Sequence, residues 1–486
     1  MSLLDGLQYT TRSGRSAKAI EAMTSVNLTK LTEVSDLYGT RPLDPARSRL
    51  ATAWLGLGVT ALALAGVFAL LLVAARAPGS GSFFPTQDFF RVALIVHVDQ
   101  SVLMWFLSFG GVLWALTAKP GGTLTWTAFG IAALGCLLVA ASPFLGAREP
   151  YLANYVPVLD HPLFLWGLGI FALGILLVLL SYFIGATGEL RWADPLRVGS
   201  FTAAIAALLA AVSVAWTWVN LSPTWQGAAY YEFLFWGPGH SLQFVYTQIM
   251  LVAWIWLART VGRELPVGER SLSALLVLGI SPLLAVPIIH GLYPPDAPEA
   301  RIAFTRLMQW GNGLAAVPIG LALLVALMRG AKMQSTPAEL PVCRALTASL
   351  TLFVAGGVLS MFISGSNTIV PAHYHGAIVG VTLALMGLSY HLLPRLGFGT
   401  PSGRAARWQP WIYGVGQLLH IGGLAASGAM GIERKTAGAA QGLKGIAAKA
   451  SMGVMGIGGL LAVIGGILFV LVVIGAFRHR DRSAAA

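Results

Sequence analysis

Two histidines stand two residues apart in Pro371-Ala372-His373-Tyr374-His375. On a helix, at about 100° per residue, such positions point about 200° apart. One helix can therefore hold a metal centre on each flank, with the two centres side by side. Neutral imidazole is a common ligand of haem iron and also suits copper and non-haem iron. Two imidazoles fill both axial positions of a haem and make an electron-transfer centre. A single imidazole leaves one face open to a small molecule. The surrounding segment, 369–394, is apolar and long enough to cross a bilayer. Paired histidines inside a membrane are costly as mere packing, so a functional role is expected.

The elements that must position them are membrane spans. The chain has 486 residues, 56% hydrophobic and 10% charged, with mean hydropathy +0.74. That composition excludes an ordinary soluble enzyme. Apolar segments at about 48–75, 87–117, 123–147, 160–186, 197–222, 230–258, 271–293, 302–328, 342–365, 369–394, 408–432 and 450–477 predict twelve transmembrane helices with short loops. The expected organisation is all-α: a polar N-terminal tail over 1–47, a polytopic membrane domain over 48–477, and a short tail over 478–486. The Gly/Ala-rich stretch 431–450 reads as a loop, and no apolar signal-peptide core precedes residue 48. Cys136 and Cys343 lie far apart in apolar runs, without a CxxC or CxxCH motif.

The formal net charge of +12 does not point to nucleic acid, because most basic residues fall in short loops and tails. Their bias places both termini in the cytoplasm. One outer loop breaks the bias with Arg434, Lys435, Lys444 and Lys449, and so needs an anionic partner. With this orientation, His97, His240, His290, His373 and His375 fall in the outer half of four spans, the second, sixth, seventh and tenth. His161 reads as an interfacial cap, and His391, His420 and His479 as structural.

This pattern resembles subunit I of the haem–copper oxidase superfamily over essentially all of 48–477. Leu234-Phe235-Trp236-Gly237-Pro238-Gly239-His240 is similar to the family's sixth-helix approach to a metal-ligating histidine, and Ala316-Val317-Pro318-Ile319-Gly320 to its eighth-helix AxPxG stretch. The resemblance implies that His97 and His375 ligate a low-spin haem and His373 a high-spin haem, both of b type. It implies that His240 and His290 hold a second metal, copper or non-haem iron. It also implies that Arg434 and Lys435 meet haem propionates.

The departures are specific. Where oxygen-reducing members carry HPEVY, this chain has His240-Ser241-Leu242-Gln243-Phe244, which lacks the family's glutamate and tyrosine. The usual His-His pair is His290-Gly291, one imidazole short, and Ala322 and Ile319 replace the eighth-helix lysine and threonine. Gln243, Glu232 and Tyr293 are the candidate substitute ligands. Asp99 is the one carboxylate well inside a span, and no Lys, Asp or Glu falls in the inner half of any span. Proton entry from the outer side is therefore expected, without pumping.

The expected function is a respiratory terminal reductase of a bacterial cytoplasmic membrane, resembling the nitric oxide reductase branches and forming nitrous oxide. One alternative is a cytochrome c or quinol oxidase that reduces O2 to water. A second is a non-catalytic haem protein, a sensor or electron conduit. The chain has no copper-thiolate pair or c-type haem motif, so electrons must come from a donor subunit, a soluble cytochrome, a cupredoxin or a quinol.

Overall fold

The structure, a computed structural model, describes residues 36–38, 43–76, 89–329, 336–434, 443 and 445–479. Twelve long helices run through the described residues: α1 Pro45–Arg76, α2 Phe89–Thr117, α3 Thr123–Leu145, α4 Pro162–Ala186, α5 Pro195–Asn220, α6 Gly227–Thr260, α7 Glu269–Leu292, α8 Pro298–Arg329, α9 Glu339–Ser360, α10 Ile369–Arg395, α11 Arg404–Ala429 and α12 Gly445–Arg478. Eleven are long and apolar enough to cross a membrane. The exception is α11, whose 26 residues include Arg404, Arg407, Gln409, Gln417 and His420. Even a helix of about 22 residues rises about 33 Å, enough for the hydrocarbon core of a bilayer. The chain is an integral membrane protein.

Burial ranks the helices. The most apolar windows of α6 and α10 are 89% and 83% buried, against 28% for α12. The two helices that carry His240, His373 and His375 are thus the middle of the bundle. α9 packs on α10 through Gly356 and Gly376, where an added Cβ on Gly356 would lie 2.4 Å from the backbone nitrogen of Ala377. Small residues at such a crossing let two backbones approach within van der Waals contact.

Four helices are locally irregular, and α3 is one of them, ending in a 3-10 turn at Ser142–Leu145. α2 widens into a π-helical turn at Asp99–Met104, just after His97. α7 passes through a 3-10 turn at Ser281–Leu284, and α8 is interrupted at Asn312. A two-stranded antiparallel hairpin, β1 Pro150–Tyr151 and β2 Val158–Leu159, joins α3 to α4. It is the one sheet among the described residues.

Two boundaries differ from expectation. α1 starts three residues early because Asp44 caps it, its Oδ1 accepting from the backbone N–H groups of Ala46 (3.0 Å) and Arg47 (2.9 Å). α12 starts at Gly445, inside the stretch read as loop. Ile446-Ala447-Ala448 are adequate helix formers once α12 lies along α11. Residues 1–35, 435–442 and 480–486, with Lys435 among them, lie outside the described residues.

At the other end of the bundle from the histidine cluster, Asp194 caps α5 and pairs with buried Arg197 at 2.5 Å. Glu189 lies 3.6 Å from Arg197 and 3.2 Å from Arg47. Asp194→Ala leaves the Arg197 guanidinium buried without its close carboxylate, and such losses cost about 3–5 kcal/mol. The expected result is a clear drop in the thermal midpoint. An unchanged midpoint would show that Glu189 alone suffices.

Candidate functional site

Three imidazoles share one arrangement. His97 Nδ1 lies 2.8 Å from the carbonyl of Ala65 on α1. His373 Nδ1 lies 2.8 Å from the carbonyl of Gly356 on α9. His375 Nδ1 lies 2.8 Å from the carbonyl of Pro371, one turn back on α10. A carbonyl can only accept, so each Nδ1 carries the hydrogen and each Nε2 keeps its lone pair. Among the described residues no side chain or backbone group bonds these Nε2 atoms. This is how a histidine is oriented for metal ligation. All three histidines are partly exposed, although most of α10 is buried.

His373 and His375 diverge as the helical geometry requires. His373 turns to α9, whereas the His375 ring lies 5.0 Å from that of His420 on α11. His97 is close enough to His375 for their charges to interact, yet α2 and α10 are not packed directly on one another. The pair His97 and His375 therefore fits a bis-imidazole haem, and His373 fits a haem held from one side. His420 was read as structural. Its Nδ1 lies 3.0 Å from the Met455 carbonyl, but its ring borders His375, which its mid-span position did not reveal. His161 is the N-cap of α4.

The other two histidines are arranged differently. His240, on α6, is 1% exposed. Its Nδ1 donates to the Trp236 carbonyl at 2.6 Å, and its Nε2 accepts from the Tyr155 hydroxyl at 2.8 Å. His290 Nε2 lies 2.7 Å from Ser213 Oγ on α5. The ring of Phe304, from α8, stands 6.4 Å from His240 and 5.2 Å from His290. No group of three or more His, Cys, Asp or Glu side chains gathers as a metal site among the described residues. Gln243 and Tyr293 are partly buried and make no hydrogen bond to either ring. Arranged in this way, the residues do not fit a second metal.

Tyr155 lies between β1 and β2, and nothing in its local sequence marks it. Burial pushes its phenol above the ordinary range, the charge of Glu232 adds to this, and Arg434 opposes it. Neighbouring Asn154 donates to Glu232 from its backbone N–H (3.0 Å) and its side chain (2.5 Å). Glu232 also lies 3.7 Å from Arg301, whose guanidinium covers the Trp236 ring at 4.4 Å. Arg434 Nε donates to Ser366 Oγ at 3.2 Å, in the turn that opens α10. That places a cation beside the helix of His373 and His375. Asp99 is 1% exposed, and both its carboxylate oxygens lack a hydrogen-bond partner.

Residues 49–468 match the family model described as Cytochrome C and Quinol oxidase polypeptide I. An uncharacterized protein of Rickettsia prowazekii (strain Madrid E) is 30% identical over 87% of this chain and 95% of its own length. An uncharacterized protein of Aquifex aeolicus (strain VF5) is 27% identical over 74% of this chain and 88% of its own. The solved structure of a heme-copper terminal oxidase dimer superposes with a TM-score of 0.68 at 17% identity, covering 89% of this chain and 84% of that one. At that identity the likeness bears on the fold.

Proposed function

Given that this chain belongs to the cytochrome c and quinol oxidase polypeptide I family, whose members are haem-dependent membrane oxidoreductases with a terminal-oxidase role, we propose that it reduces nitric oxide to nitrous oxide. The observation that carries this reading is the trio of imidazoles with Nδ1 on a carbonyl and Nε2 open. His97 and His375 would hold one haem from both faces, and His373 the other from one face. When bound, the two haems supply electron storage and transfer, and an iron face open to a gas. Arg434 would meet a propionate from the start of α10. The termini would lie in the cytoplasm of a bacterial-type inner membrane, with electrons from a donor subunit, a soluble cytochrome or cupredoxin, or a quinol.

The choice of gas rests on what α6 lacks. Phe244 is 1% exposed and has no hydroxyl, so it cannot supply the electron and proton that O2 cleavage draws from the family's tyrosine. Leu242 and Ala322 remove ionisable steps toward the cytoplasm. Protons would enter from the histidine end, near Glu232 and Asn154. A second reading, O2 reduction, is favoured by one contact. The Tyr155 hydroxyl at His240 Nε2 brings a phenol to the histidine by another route.

Oxygen and NO electrodes on proteoliposomes with an artificial donor test the choice. The expected result is NO turnover above O2 turnover, with no proton release driven by either. Rapid O2 consumption with proton translocation would overturn it. Consumption of neither gas by reduced, haem-loaded protein would leave an electron conduit.

A further inference from the structure

We propose that His240 is the hydrogen-bonding base of Tyr155 and not the ligand of a second metal, so that this chain holds haem iron alone. An imidazole has two nitrogens, and both are taken here. Nδ1 spends its hydrogen on the Trp236 carbonyl, and Nε2 spends its one lone pair on the Tyr155 hydroxyl. A metal must displace one of these partners from a site that is 1% exposed. Losing a hydrogen bond at a buried group costs its full desolvation.

The pairing is built into α6. The stretch Gly237-Pro238-Gly239-His240 presents two bare positions just before the histidine. A Cβ on Gly239 would lie 2.2 Å from Cγ of Tyr155, so any side chain there would expel the tyrosine. A Cβ on Gly237 would lie 2.7 Å from the ring of Phe304. The two glycines therefore admit two aromatic rings near His240, Tyr155 bonding it and Phe304 standing 6.4 Å from it and 5.2 Å from His290. Trp236 closes the clamp, its ring edge-on to Tyr155 at 5.8 Å and 84°. The hairpin register Tyr151↔Val158 and the two hydrogen bonds that Asn154 donates to Glu232 hold the loop in place. On α7, His290 is bound to Ser213 and followed by Gly291, which offers no ligand.

This inference is independent of which gas is reduced. Metal analysis of the purified full chain, with haem quantified on the same sample, tests it. All iron is expected as haem, with copper, zinc, manganese and non-haem iron each far below one per chain. One non-haem metal per chain, lost in His240→Ala, would overturn it. The pair itself is tested by thermal midpoints. His240→Ala and Tyr155→Phe are each expected to lower the midpoint, and the double variant no further than the larger single loss. Strictly additive losses would overturn the pairing. Failure of both gas assays would leave these results untouched.

Discussion

His97→Ala is expected to remove the six-coordinate haem proposed for this chain and to leave the other in place. The expected spectrum loses the sharp visible bands of a bis-imidazole haem but keeps a ligand-responsive one. The reason is geometric. His97 is the one imidazole on α2, its Nδ1 is fixed to the Ala65 carbonyl, and it lies near enough to His375 for their charges to interact. His420, the nearest other imidazole, lies beside His375, and its Nδ1 is engaged by the Met455 carbonyl. His373 bonds to α9 and does not depend on His97. With the entry haem gone, turnover with an external donor should fall to background. A variant that keeps both haem signatures would show that His97 is not an axial ligand.

Gly356→Val has the opposite selectivity. Its Cβ would lie 2.4 Å from the nitrogen of Ala377, 2.8 Å from the carbonyl carbon of Gly376 and 2.9 Å from the carbonyl oxygen of His373. These are backbone atoms and cannot swing aside, so α9 and α10 must separate. Overpacking of this kind costs about 1–3 kcal/mol, and more where backbone must move. The same shift pulls the Gly356 carbonyl from His373 Nδ1, which frees the ring to rotate. The expected result is a lower thermal midpoint and loss of carbon monoxide binding by the reduced protein, because the open-faced haem loses its ligand. Gly357→Val next door is the control, since a Cβ there meets nothing within 4 Å. Equal behaviour of the two variants would refute this assignment.

Much of the scaffold was legible in the sequence. Long apolar runs must become helices in lipid, because no other open structure satisfies its backbone there. Charge bias and helical rise then brought His97, His373 and His375 to one end, where the structure presents all three with Nε2 open. The roles of His240 and His290 at a second metal are what the family resemblance implies, and a resemblance does not say what a ring nitrogen bonds in this chain. His240 meets a tyrosine 85 residues away, and His290 a serine 77 residues away. Contacts at that separation follow from how helices and a hairpin pack, not from local spacing. The one available signal was Gly237-Pro238-Gly239. Two glycines flanking a proline inside a span mark close approach by something large. The polar character of α11 likewise hid the place of His420 beside His375.

Haem and iron counted against protein, with optical and magnetic spectra of the same sample, test the central claim most directly. The expected result is two haems per chain, one low-spin with two imidazoles and one high-spin that binds carbon monoxide when reduced. A single haem per chain, or two haems both closed to carbon monoxide, would contradict it.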